Sequence, residues 1–189
     1  MDSLRFDPEK KDQLDSLERR KLLPADKLLN LLPIEKNHVV LDLGAGTGYF
    51  TIPVSHMTQG TVYALDIESE MLDHLKGNIQ DQHISNIQLL EASVAEIPLP
   101  NNSIDIIIAS LVLHAVKPLS AGLSEIVRVM KEGAHILCFD WDTKDSPIGP
   151  EMGIRVSSSD MEKALTDAGL TVMKHVTPTE YLYIFIAKK

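Results

Sequence analysis

Leu41-Asp42-Leu43-Gly44-Ala45-Gly46-Thr47-Gly48-Tyr49-Phe50 is the stretch on which the fold turns. The short apolar run His38 to Leu43 suits a buried parallel strand, and it feeds directly into three alternate glycines and then a helix of about ten residues starting near Gly48. Glycines at a strand-to-helix turn let the backbone approach a ligand closely, because each lacks a Cβ and tolerates positive φ. Spacing restricts which ligand. A dinucleotide fingerprint, G-x-G-x-x-G, requires glycine where this chain has Tyr49, and the G-K-[ST] of a phosphate-cradling loop does not occur.

Working outward, Thr61 to Asp66 forms a second buried run that ends on Asp66, and a carboxylate there can accept both hydroxyls of a ribose. The same aspartate could instead cap the helix that follows, Glu68 to Asp81, whose Met71, Leu72, Leu75 and Ile79 have helical spacing. Asn86 to Leu90 reads as a third strand. Ser103 to Ser110 reads as a fourth, apolar on both faces as the centre of an α/β sheet requires. A helix from Leu119 to Met130 closes on Gly133 as its expected C′ residue, and Ala134 to Trp141 is the fifth strand. Asp142 to Ser157, with Pro147, Gly149, Pro150 and Gly153, reads as a loop, either a lid or disordered. Ser159 or its neighbour is placed to cap a helix from Asp160 to Ala168. The last two strands, Thr171 to Val176 and Tyr181 to Ala187, are joined too tightly for a parallel crossover and are expected to pair antiparallel.

The fold class expected is therefore α/β: a Rossmann-like, doubly wound seven-stranded sheet, mostly parallel, with an antiparallel strand from the C-terminal hairpin. The 189 residues suit one domain, able to bury roughly 70% of its unfolded surface, with 1–35 as an N-terminal helical cap and 36–189 as the α/β core. Within the cap, Pro8 to Leu23 reads as an amphipathic helix and Asp26 to Leu32 as a second one.

Composition excludes several classes. Apolar residues make up 44% and charged residues 24%, which rules out a disordered or fibrous chain. No apolar run approaches the roughly 20 residues of a bilayer span, and the N-terminus carries no signal-peptide pattern, so cytoplasm is the expected location. The net charge of −9 is concentrated beyond residue 36, with 19 acidic against 10 basic residues there, which disfavours nucleic-acid partners. No two histidines lie closer than His74 and His83, so no metal site is expected, and Cys138 reads as an inert core thiol.

With these motifs in order, the chain resembles the class I S-adenosylmethionine-dependent methyltransferases, in particular small members of the ubiquinone/menaquinone-biosynthesis type. Val39 to Gly48 is similar to their first motif, and Ala64-Leu65-Asp66-Ile67-Glu68 with Met71-Leu72 to their second. Ile97 to Asp105 is similar to the stretch leading into strand four, and Ser110-Leu111-Val112-Leu113-His114 to the segment after it. The resemblance implies S-adenosyl-L-methionine as cofactor and gives Asp42, Gly44, Ala45, Gly46, Asp66, Ile67, Met71, Ser93, Val94 and Ser110 as its binding residues. On that pattern Asp42 orients the loop near the methionine amino group, Gly44 and Gly46 line methionine and ribose, and Ile67 packs on adenine. Val94 presents backbone to the ring. Ser93 stands where many relatives carry an acidic adenine contact.

Methyl transfer from a sulfonium is an in-line displacement that needs alignment and dryness more than strong acid. Side chains at the C-terminal ends of strands four and five would face the methyl. His114 is the candidate catalytic base, with a packed histidine as the alternative. Asp140 and Asp142 could bind an acceptor or be solvated at the strand end. Tyr49 and Trp141 could form an apolar wall over the acceptor or simply pack in the core. The expected partner is a small-molecule methyl acceptor. A protein or RNA substrate, or a non-catalytic adenosine-binding module, remains the alternative, and a homodimer is compatible with the sequence.

Overall fold

Alternate residues of the central strands enter two different cores, and this two-sided burial organises the molecule. The computed structural model describes residues 23–189; the helix expected from Pro8 to Leu23 lies essentially outside them. The element order is α1 (Ala25–Leu29), β1 (Val40–Leu43), α2 (Thr51–Ser55), β2 (Val62–Asp66), α3 (Ser69–Asp81), β3 (Ile87–Glu91), β4 (Ile104–Ser110), α4 (Leu119–Val129), β5 (Met130–Trp141), α5 (Ser158–Asp167), β6 (Thr171–Thr179) and β7 (Leu182–Lys188). One seven-stranded sheet has the order β3-β2-β1-β4-β5-β7-β6, parallel throughout except where β7 runs antiparallel to both β5 and β6. The expected fold class is the observed one.

On β1, Leu41 and Leu43 join one core with Ile107 and Ala109 of β4, Ile136 and Cys138 of β5, and Leu123, Ile126, Met161 and Leu165 of α4 and α5. Val40 turns the other way, to Ile106, Ile108, Leu137, Phe139 and Trp141, under Leu28 and Leu29 of α1, Val54 of α2 and Phe50 just before α2. Period-two alternation with both sets apolar is the signature of a strand covered on both faces. Cys138 is wholly buried, and burial pushes its thiol up, which keeps it un-ionised as expected of a core thiol.

The glycine turn meets β2 through the bond from the Ala45 N–H to the Leu65 carbonyl, 3.0 Å. On the far side of β4, the Arg128 guanidinium on α4 donates to Glu125 and to the carbonyls of Ile97 and Leu99, stapling the 97–101 loop to the helix. The Arg128 hydrogen bond holds the Glu125 carboxyl below its ordinary value.

Three local expectations need correction. The helix after the glycine turn has five residues rather than ten, and the chain leaves it at His56. Gly133 is not a helix C′ residue. Helix α4 ends at Val129 and passes straight into β5, where Gly133, at φ 83°, lies between Met130, paired with Ile104, and His135, paired with Ile106. The extra residues between those pairs form a bulge that needs the left-handed conformation. Helix α5 is capped by Ser157, whose hydroxyl accepts from the Asp160 N–H at 3.1 Å.

Candidate cofactor and methyl-transfer site

Parallel topology brings the carboxyl ends of β1, β2, β4 and β5 to one edge, where the strand order reverses between β1 and β4. Gly44, Gly46 and Gly48 leave β1 with φ of 65°, 54° and 97°. A Cβ at Gly44 would stand 2.7 Å from Val112 Cγ2, so glycine is required there for space as well as for backbone conformation. Asp42, 1% exposed, accepts from the Thr51 hydroxyl at 2.6 Å, which ties β1 to the first residue of α2.

Asp66 closes the turn. Its Oδ2 accepts from the Gly46 N–H at 2.8 Å and its Oδ1 from the Glu68 N–H at 3.0 Å, so one carboxylate braces both the glycine loop and the entry to α3. Each oxygen keeps a further lone pair, and the two sequence alternatives, helix cap and ribose acceptor, are compatible in one residue. Ile67 follows immediately and is 39% exposed, one of few large apolar side chains left open among the described residues. Met71 and Val94 are buried at 2% and 6%, and Ser110 at 7%. Ser93 spends its hydroxyl on the Ala95 N–H at 3.2 Å, capping the turn in which it sits.

These residues fit an adenosyl cofactor. The Asp66 carboxylate would hold ribose hydroxyls, the open face of Ile67 would take an adenine ring, and the side-chain-free loop beneath would admit the methionine portion.

At the ends of β4 and β5 the arrangement differs from the sequence expectation. Asp140 is wholly buried and Asp142 is 7% exposed, so neither is solvated at the strand end. Asp140 accepts from the His114 N–H at 3.0 Å and the Trp141 N–H at 2.8 Å, and its Oδ1 lies 2.7 Å from His114 Nδ1. Asp142 accepts from the Thr143 and Ser158 N–H groups and from the Ser158 hydroxyl, anchoring the start of α5. Burial alone would raise the Asp142 carboxyl, but those donors outweigh it and hold the group below the ordinary carboxylate range.

Trp141 is core-packed at 7% exposure. Its ring stacks on Tyr181 at 6.0 Å, lies 5.7 Å from the Arg155 guanidinium, and leaves no room for a side chain at Gly149. Arg155 in turn donates to the carbonyls of Pro150, Asp142, Lys144 and Ile148, so an arginine clasp orders the 142–157 loop over Trp141. Tyr49 donates to the Leu23 carbonyl at 2.7 Å and meets Phe50 edge-on; it and Trp141 are each committed to their own neighbours rather than to a shared wall.

Sequence reading missed Thr51, Leu111, Val112 and Arg155. Thr51, a hydroxyl nine residues after Asp42 at the start of an apolar helix, was the one with a readable signal. Leu111 has φ 54°, a left-handed conformation uncommon for a branched side chain, and nothing in its local sequence announces it. Among the described residues no group of three or more His, Cys, Asp or Glu is placed to hold a metal, and no helix is long and apolar enough to cross a membrane.

A glycine turn, a strand-terminal acid and a β7-inverted seven-stranded sheet define the class I S-adenosylmethionine-dependent methyltransferase architecture. Comparison with known proteins agrees: residues 41–138 match the methyltransferase domain family, and the chain belongs to that family. The chain is 31% identical over 146 residues to the ubiquinone/menaquinone biosynthesis C-methyltransferase UbiE of Shewanella frigidimarina, covering 76% of this chain and 57% of the relative. It superposes on a SAM-dependent methyltransferase from Aquifex aeolicus with TM-score 0.89 and 29% identity, over 97% of this chain and 98% of that one. The [4+2]-cyclase SpnF shares the fold, with TM-score 0.83 at 14% identity, over 92% of this chain and 82% of SpnF. The chain spans about half the length of the curated relatives it matches.

Proposed function

We propose that this protein is an S-adenosylmethionine-dependent methyltransferase acting on a small-molecule acceptor. The observation that carries the reading is Asp66, whose carboxylate braces Gly46 and Glu68 beside the open face of Ile67 at the carboxyl edge of the sheet. When bound, the cofactor supplies an electrophilic methyl on a sulfonium whose departure as a neutral thioether needs no proton from the protein.

The chain's own residues then have limited tasks. Gly44 and Gly46 keep the backbone low beneath the cofactor, Asp42 and Thr51 hold that loop against α2, and Asp66 fixes the ribose end. Ser110, at the carboxyl end of β4 beside β1, and the turn after it would flank the bound cofactor from the neighbouring strand. The small-molecule acceptor is supported by the acidic balance beyond residue 36 and by the likeness to a quinone-pathway C-methyltransferase. SpnF shows that this fold also carries other chemistry, so the cofactor must be tested on the protein itself.

Calorimetric titration with S-adenosylmethionine and, separately, S-adenosylhomocysteine is the test. Binding of both at about micromolar Kd, roughly −8 kcal/mol, is the expected result. Binding of neither would reduce the relationship to shared architecture.

A further inference from the structure

We propose that Val112 is a positioning residue for the cofactor turn: its branched side chain, laid on Gly44 by the left-handed backbone of Leu111, holds the turn after β1 in its ligand-ready shape. The space that Gly44 leaves open is filled by the turn of a neighbouring strand rather than by the ligand. This inference rests on the methyltransferase reading above and adds to it a residue that acts on the cofactor through the loop beneath it.

Alternate glycines let the 44–48 turn take positive φ at three positions, but they also leave it more conformers than any other residue type would. Where the binding-competent conformer is only a fraction of the whole, apparent affinity falls by that fraction, so such a turn needs bracing. On the β2 side the braces are polar. The Ala45 N–H donates to the Leu65 carbonyl at 3.0 Å, the Gly46 N–H to Asp66 at 2.8 Å, and the Asn78 side-chain amide to the Thr47 carbonyl at 3.2 Å. On the β4 side the brace is steric. Outside its own stretch of chain, the three atoms nearest to a Cβ built on Gly44 all belong to Val112: Cγ2 at 2.7 Å, Cβ at 3.0 Å and Cγ1 at 3.8 Å.

Val112 is itself held on both sides. Leu111 has φ 54°, a conformation that a branched side chain keeps only where its surroundings impose it, and its N–H is fixed to the Phe139 carbonyl at 2.9 Å. The Val112 carbonyl accepts from the Ala115 N–H at 3.1 Å, Leu113 is buried, and the His114 N–H is anchored on Asp140 at 3.0 Å. With its main chain pinned before and after, a β-branched side chain has few rotamers left. The unusual backbone of Leu111 is explained by where it puts the next residue.

The turns after β1 and β4, which leave adjacent parallel strands, are therefore locked together as one unit. Cutting Val112 back to alanine removes both γ carbons from Gly44 and leaves the polar braces at 45–47 intact. Gly44 then regains the rotation that its missing side chain permits, and fewer molecules hold the ready turn at any moment. A residue that merely filled volume would lower the unfolding midpoint and leave the affinity of the folded protein where it was.

The test reads the full chain first free and then with S-adenosylhomocysteine. In the free protein, Val112→Ala is expected to speed amide exchange at Ala45, Gly46 and Gly48 about tenfold, while Val112→Thr, which keeps the branched shape, stays close to the wild type. A double-mutant cycle on urea midpoints adds Gly44→Ala, which is expected to lower the midpoint less in Val112→Ala than in the wild type, because the Cγ2 that the new Cβ meets is gone. Calorimetry well below the unfolding transition is then expected to show S-adenosylhomocysteine binding about tenfold weaker in Val112→Ala and within about twofold of the wild type in Val112→Thr. Unchanged exchange, equal midpoint shifts in the two backgrounds, or an affinity loss that threonine does not restore would each overturn the proposal. A lowered midpoint with wild-type affinity overturns it too, and makes Val112 a packing residue. If Gly44→Ala does not fold, the Val112→Ala and Val112→Thr arms decide by themselves. Failure of S-adenosylhomocysteine to bind the wild type sinks the cofactor reading instead, and exchange and urea midpoints of the free protein still decide the Val112–Gly44 brace.

Discussion

Two pairs of aspartates stand at the carboxyl edge of the sheet, and they do different work. Asp42 and Asp66, on β1 and β2, both brace the glycine turn and the helix entries beside it: Asp42 takes Thr51 nine residues on, and Asp66 takes Glu68 two residues on and Gly46 twenty residues back. Asp140 and Asp142, at the end of β5, reach across the fold to His114 and Ser158, 26 and 16 residues away. The first pair shapes a loop that any ligand of the site must meet; the second pins together segments that arrive from different crossovers. A carboxylate at a strand end is therefore not one kind of feature. Its role depends on which segments supply the donors around it: the glycine turn for the first pair, the turn after β4 and the start of α5 for the second.

The largest effect expected of this contrast is on stability at the β5 end. Asp140→Ala leaves two main-chain N–H groups and the His114 ring without their acceptor in a fully buried site, and should cost about 3 kcal/mol, read from the urea midpoint. A loss below about 1 kcal/mol would mean the second pair is dispensable to the fold and would erase the distinction.

On the other half, Asp66→Ala should act on ligand affinity first. S-adenosylmethionine binding is expected to weaken at least about tenfold, through charge-assisted hydrogen bonds worth roughly 1.5–3 kcal/mol. Unchanged calorimetric affinity would show that Asp66 is only the helix-entry brace.

Arg155→Gln sharpens the comparison within the β5 end. Losing the clasp over four carbonyls should cost roughly 1–2 kcal/mol, speed amide exchange in residues 144–150, and shift Trp141 fluorescence as the ring gains solvent. An unaltered emission spectrum would argue that Tyr181 and the core hold the tryptophan without the loop.

The smallest effect concerns Asp142. Its carboxyl is held below the ordinary range when folded, so the stability it contributes is present above its unfolded pKa of about 4 and is lost as pH falls through its folded value. Asp142→Asn should lose about 1 kcal/mol at neutral pH and show a shallower fall in stability below about pH 4 than the wild type. Parallel acid-unfolding curves for the two proteins would refute the Ser158 anchoring role.

Legibility in the sequence followed the same divide. The glycine turn and Asp66 were readable because a strand-to-helix turn is built from consecutive residues whose conformational needs are local. Element types were right along most of the described chain because two-sided strands and amphipathic helices carry distinct periods. Gly133 forming a bulge inside β5 was misread as to consequence, since a breaker marks an interruption without saying what the neighbours will do there. Asp140, Asp142 and Trp141 were visible as chemistry but not as contacts.

What the amino-acid order determined by itself was the α/β alternation, the antiparallel hairpin at the end, and a cofactor turn with its acid 18 residues beyond Gly48. What only the tertiary structure decided was which buried carboxylate meets which donor: that His114 lands on Asp140, that Ser158 lands on Asp142, and that Arg155 closes over Trp141. The reason is physical. Local conformation is set by sterics and period over a few residues, whereas a desolvated carboxylate takes whatever donors the packed crossovers bring to it, and that pairing exists only once the sheet has assembled.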